Sequence, residues 1–148
     1  MKLQPELILL DQTFDSKWDA IRTAGQLLVE AGSVDEDYLD SMADREVVLT
    51  THMGNFIAIP HGTDEGKKHV KKTAISVVQV PFGVNFNENP KEDEQMAMIV
   101  FGLAGVGNEH LDVLSKIAVF CSDVNNVALL ANATDKEEII RLLEEVES

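Results

Sequence analysis

The sequence predicts an α/β protein: a single-domain sandwich in which a mixed β-sheet of about five strands is flanked by helices. Two observations predict it. Short apolar, β-branched runs occupy the middle of the chain, and amphipathic stretches of helical period lie before and after them. The 148 residues, 45% hydrophobic and 26% charged, are enough for one buried core, and nothing suggests a second. Residues 1–148 are therefore read as one domain, and Met1 with this span implies a stand-alone component.

In order, the apolar run ELILL (6–10) reads as a strand. Ser16 is placed to cap a helix that Gly32 ends, with Trp18, Ile21, Gly25, Leu28 and Val29 on one face. Ser33 and Glu36 make a capping-box pattern, so a second helix is expected from Ser33 to about Val48. NFIAIP (55–60) reads as a short buried strand ending at Pro60, and TAISVVQV (73–80) as a second. PFGVNFNENPKEDE (81–94) has two prolines and several asparagines, the composition of a loop. QMAMIVFGLAGV (95–106) is another strand, closed by Gly105 and Gly107. A helix from about Glu109 carries His110, Leu114, Ile117 and Cys121 in one stripe, and a short helix is expected over 123–131. Thr134 and Glu137 cap the last helix, whose core stripe is Ile139, Leu142, Leu143 and Val146.

Charge narrows the function. Lys and Arg number 12 and Asp and Glu 26, a net charge of −14. That field repels phosphate backbones and anionic membranes, so no nucleic acid is expected as partner. No run of 18 apolar residues and no signal-peptide core is present, so no membrane insertion is expected. A single cysteine, Cys121, rules out an internal disulfide framework and fits a cytoplasmic protein. The charge is unevenly spread, with eight basic and 13 acidic residues up to position 74 and four and 13 beyond it.

Two glycine-rich stretches fail as nucleotide loops. Gly62 to Lys68 is one residue short of a P-loop and puts Lys68 where the magnesium-binding hydroxyl belongs. Gly102, Gly105 and Gly107 come in the wrong order for a dinucleotide fingerprint and read as a strand exit. The four histidines say more. His61 follows the apolar IAIP run, with Pro60 fixing the backbone before it and Gly62 admitting a close approach after it. His110 follows the Gly105–Gly107 turn and opens a helix, where free N–H groups suit a phosphate. If the two strand exits are adjacent, both histidines face one cleft. Ordinary surface or core histidines are the alternative, and so is a metal site completed by Cys121 or carboxylates, although no short-range ligand pair is present. Arg45, between Asp44 and Glu46, reads from its neighbours as a solvated charge. His52 reads as a loop residue, and Lys67, Lys68, Lys71 and Lys72 around His69 as a basic loop that lends positive charge to its surroundings.

The block IAIPHGT (57–63), the DRE segment at Asp44–Glu46, PFGVNF (81–86) and NEHLDVLSKIA (108–118) together resemble the IIA component of the bacterial phosphoenolpyruvate-dependent sugar phosphotransferase system. The type is mannitol/fructose, closest to the mannitol branch, and the match covers nearly the whole chain. The resemblance implies a phosphotransferase component with a phosphohistidine intermediate. His61 would accept a phosphoryl group from the phosphocarrier protein HPr and pass it to the IIB domain of a sugar-specific permease. His110 and Arg45 would match the histidine and arginine that stabilise that group. A neutral imidazole is nucleophilic at pH 7, and the scheme requires no metal and no cofactor. A regulatory module of the same fold, acting through its phosphorylation state, and a metal-dependent hydrolase built on His61 and His110 are the competing readings.

Overall fold

A computed structural model describes residues 3–147, with side chains through Glu144. It contains the expected mixed sheet of five strands: β1 (Ile8–Leu9), β2 (His52–Gly54), β3 (Ile57–Ala58), β4 (Ala74–Asn85) and β5 (Met96–Ala104). Their spatial order is β1-β4-β5-β3-β2. β1 runs parallel to β4 and β3 parallel to β5, whereas β4 and β5 are antiparallel. Five helices flank the sheet: α1 (Lys17–Glu30), α2 (Asp37–Val48), α3 (Glu109–Cys121), α4 (Val124–Asn132) and α5 (Lys136–Glu147).

β4 shows why the sheet has two covered faces. Residues Ala74 to Val80 are all buried, the pattern of a strand packed on both sides. Ser76 and Gln79 lie an odd number of residues apart and so point to opposite faces. Ser76 Oγ donates to the Ala24 carbonyl of α1 at 2.7 Å. Gln79 Nε2 donates to the Leu130 and Ala133 carbonyls at the end of α4. Both buried polar groups are therefore satisfied, and no described buried side chain has an unpaired polar atom. α1 approaches closely because residue 102 in β5 is glycine: a Cβ there would meet Ser76 Oγ and stand 2.9 Å from the Ala24 carbonyl.

Ser16 caps α1 as expected, its hydroxyl accepting from Asp19 N. Elsewhere the elements differ from expectation. The first strand is only Ile8–Leu9, since Pro5–Leu7 forms a 3-10 turn. Ser33 does not start α2. Its hydroxyl donates to the Lys72 carbonyl and its own carbonyl accepts from Lys71 N, while Asp35 accepts from Asp37 N at the helix start. Thr134 is likewise not the cap of α5, where Asp135 Oδ1 accepts from Glu138 N at 2.8 Å. Residues 81–85 are not loop but the far half of β4. Pro81, which cannot donate, falls where the pairing with β5 is interrupted between Gln79 and Val84. The α3 stripe buries Val113, Ile117 and Cys121, leaving His110 and Leu114 at its margin. In α5, Ile139 and Leu143 are buried and Leu142 half-buried; Val146 lies outside the described side chains. β2 was not foreseen: it forms a hairpin with β3 through Asn55 and Phe56, both at positive φ, the geometry of a two-residue hairpin turn. No single described helix is long and apolar enough to cross a membrane.

Candidate functional site

Two neighbouring parallel strands build the site. Beyond Ala58 the chain continues alongside β5, with the Pro60 carbonyl accepting from Leu103 N at 2.9 Å and His61 bridging Leu103 in parallel register. β5 ends at Ala104, and four residues, Gly105, Val106, Gly107 and Asn108, turn the chain into α3, where His110 is the second residue. Parallel neighbours open at the same edge of the sheet, so the two exits are adjacent. The His61 and His110 rings lie 6.4 Å apart between centroids, tilted by 31°. They face one recess, which Tyr38, Gly62, Thr63 and Lys67 also line. Glycine is required at the turn, because a Cβ on residue 105 would collide with the backbone of His110.

The His61 ring is held in one tautomer. Nδ1 lies 2.8 Å from the Ile59 carbonyl, which can only accept, so Nδ1 carries the proton. Nε2 is then the nitrogen with the lone pair, the nucleophilic atom of the neutral ring. Burial holds the His61 pKa below its ordinary 6.5; the bond to Ile59 opposes this, the charges of Arg45 and His110 add to it, and Glu46 opposes it. At pH 7 the ring is neutral.

α2 supports this loop from behind. Tyr38 and Ser41 lie three apart and Arg45 four further on, the spacing of one helix face. Tyr38 OH donates to the Leu103 carbonyl and accepts from Gly62 N, each at 2.8 Å, so one hydroxyl ties α2 to both strand exits. Burial pushes its pKa to about 12, which keeps the donor protonated. Ser41 Oγ accepts from Thr63 N at 2.8 Å and lies 3.1 Å from Thr63 Oγ1. Thr63 Oγ1 in turn accepts from Gly66 N and caps the 3-10 segment Asp64–His69. Tyr38 and Ser41 escape sequence reasoning, since hydroxyls on a helix carry no mark of their own. Their spacing from Arg45 was the available signal.

Arg45 occupies the last turn of α2, where Nη1 donates to the Leu49 carbonyl at 2.6 Å. It acts on His61 through its charge. The next residue, Glu46, is 3% exposed. Its carboxylate accepts from Lys17 Nζ at 3.0 Å and from the Thr51 amide and hydroxyl at 2.8 and 2.6 Å. This fully bonded pair fixes the end of α2 that bears Arg45.

The other histidines are occupied elsewhere. His52 sits in β2, its Nε2 2.8 Å from the Met96 carbonyl and its ring against Phe86. His69 Nδ1 lies 2.9 Å from Asp35 and holds that carboxyl below its ordinary value. Cys121 is buried, and burial raises its thiol to about 12, so it stays protonated. Among the described residues the grouping of side chains suited to a metal is Asp35, Asp37 and His69, none of which lines the recess.

Comparisons with known proteins find relatives over nearly the whole chain. The family described as "Phosphoenolpyruvate-dependent sugar phosphotransferase system, EIIA 2" matches residues 1–146. The mannitol-specific phosphotransferase enzyme IIA component of Enterococcus faecalis is 55% identical over 132 residues, 89% of this chain and 90% of that one. The crystal structure of IIA mannitol from Escherichia coli superposes with a TM-score of 0.89 at 38% identity, covering 97% of this chain and 99% of that one. The same TM-score and identity relate the chain to IIA mannitol in its complex with phosphorylated IIB mannitol from Escherichia coli, over 96% of each chain.

Proposed function

Because the chain belongs to the EIIA 2 family of the phosphoenolpyruvate-dependent sugar phosphotransferase system, we propose that His61 is its phosphoryl acceptor and mannitol the sugar it serves. The chain is a phosphoryl carrier, a phosphotransferase component that works through a phosphohistidine between HPr and a IIB domain. The observation that carries the residue assignment is the pairing of His61 and His110 at adjacent strand exits, with His61 Nδ1 tied to Ile59.

In the forward step, Nε2 of His61 attacks the phosphorus of phospho-HPr. A new N–P bond forms as the donor's N–P bond breaks, and the bonding pair returns to the donor imidazole. Nδ1 keeps its proton, donated to the Ile59 carbonyl, so the ring does not turn as it takes the group. Delivery to IIB is a second displacement of the same kind: a nucleophile of IIB bonds to phosphorus as the His61 Nε2–P bond breaks, and the bonding pair returns to the His61 ring. Little covalent help is needed; positioning and charge decide the rate. His110 supplies an N–H to the phosphoryl oxygens, and Arg45 a guanidinium that leaves the neutral Leu49 carbonyl for a dianion. Exposed apolar residues flank both supports: Val47, Val48 and Leu49 beyond Arg45, and Val106 and Leu111 beside His110. Such a surface suits repeated docking with protein partners. A cytoplasmic location is part of this proposal, since a relay that starts from phosphoenolpyruvate needs the chain to meet HPr there.

The test is a reconstituted relay with phosphoenolpyruvate, enzyme I, HPr and IIB domains specific for several sugars. Label moving from the chain to the mannitol IIB domain, and to no other as fast, is the expected result. Label that reaches the chain and then moves to none of them contradicts the transport role and favours the regulatory reading.

A further inference from the structure

We propose that Lys67 is a further residue of the phosphoryl site, whose ammonium contacts the oxygens of the phosphoryl group once it is on His61. The inference rests on the assignment of His61 as acceptor. Residues 64–69 form a 3-10 segment, in which side chains three apart are eclipsed. Asp64, Lys67 and Val70 therefore share a face, and all three line the recess that holds His61 and His110. Lys68, Lys71 and Lys72 are exposed and line no part of it. The basic run is thus split by its geometry, and among the described residues Lys67 is the one side chain lining the recess that carries a permanent positive charge.

Its ammonium is held only loosely. It lies 3.7 Å from Asp64, whose side chain is 95% exposed, and 3.4 Å from the neutral Asn108 Oδ1 at the start of α3. An exposed pair at that distance contributes little. A phosphoryl dianion in the recess is a stronger partner than either, because charge-assisted bonds to it are shorter and roughly twice as strong as neutral ones. Asn108 is also two residues before His110, so the ammonium is positioned across the recess from one histidine's loop to the other's helix. In a chain of net charge −14, a local cation offsets the repulsion that a newly added dianion meets.

The experiment incubates the full chain and three variants, Lys67→Met, Lys67→Arg and His61→Gln, each with phosphorylated HPr. Lys67→Met is expected to accept one phosphoryl group on His61 about tenfold more slowly, and Lys67→Arg to recover most of the rate. A packing role alone would not move a second readout, the phosphorus NMR titration of the phosphorylated chain. There Lys67→Met is expected to raise the pH at which the phosphoryl group takes up a proton, since a nearby cation favours the dianion. The facing titratable groups His61, His110, Asp64 and Tyr38, and Arg45 and Glu46 behind them, are unchanged in this comparison. If Lys67→Met is labelled on His61 at the native rate and titrates as the native chain does, the role of Lys67 is overturned while His61 stands. If His61→Gln is labelled as fully as the native chain, the acceptor assignment falls and the role of Lys67 with it.

Discussion

The imidazole of His61 is made a nucleophile by three ordinary contacts: burial, a carbonyl on Nδ1 and a cation nearby. Its lowered pKa sets the sign of a pH effect. An unfolded histidine takes up its proton near 6.5, whereas the native ring does so only at lower pH. The unfolded state therefore binds more protons in that window, and stability falls as pH drops below 6.5 toward the native value. Urea unfolding at a series of pH values should show this loss in the native chain and a shallower one in His61→Gln. Arg45→Gln should raise the His61 pKa, read directly by NMR titration, because a repelling cation has been removed; an unchanged pKa would place the guanidinium too far away to act. His61 and His110 were legible in the sequence because proline and glycine punctuate strand exits. Tyr38, Ser41 and Lys67 were not. The first two act through hydroxyls that a helix usually points to water, and Lys67 is separated from its basic neighbours only by a 3-10 period that the sequence does not announce.

At the scale of elements, the site depends on how closely α3 follows β5 and on how firmly α2 is anchored behind both exits. Gly105→Ala puts a methyl group into the backbone of His110. It should destabilise the fold by about 1–3 kcal/mol and slow transfer more than that loss explains. Denaturant melts and phosphoryl-acceptance rates on the same preparation check both. Lys17→Met leaves the buried Glu46 carboxylate without its ammonium and should cost about 3–5 kcal/mol. The double variant with Glu46→Gln should recover part of that cost, since no charge is then stranded. Most helix ends were legible to within a residue or two because the periodicity is strong, but α2 begins only at Asp37 and two of the caps differ from expectation. Ser33 has the right neighbours for a capping box, yet its hydroxyl is taken by Lys72, 39 residues away. The same limit hid the second half of β4: Pro81 and Gly83 look like loop, but an interruption in the pairing accommodates both. The β2–β3 hairpin was missed because Asn55 and Phe56 supply positive φ without the usual asparagine–glycine pair.

For the whole molecule, the net charge of −14 is a property of encounter rather than of fold. An acidic surface around a locally less negative site accelerates the approach of a basic carrier surface, and salt screens that attraction beyond about 8–10 Å. Transfer from HPr should therefore slow as ionic strength rises, while the maximum extent of labelling stays the same. Rates independent of salt would reduce the charge to a matter of solubility. The central claim is tested most directly by locating the phosphoryl group. After incubation with phosphoenolpyruvate, enzyme I and HPr, mass spectrometry under neutral conditions should find one acid-labile phosphoryl group, on the peptide that contains His61 and on no other, with none in His61→Gln. A phosphoryl group on His110, or full labelling of His61→Gln, would contradict the account.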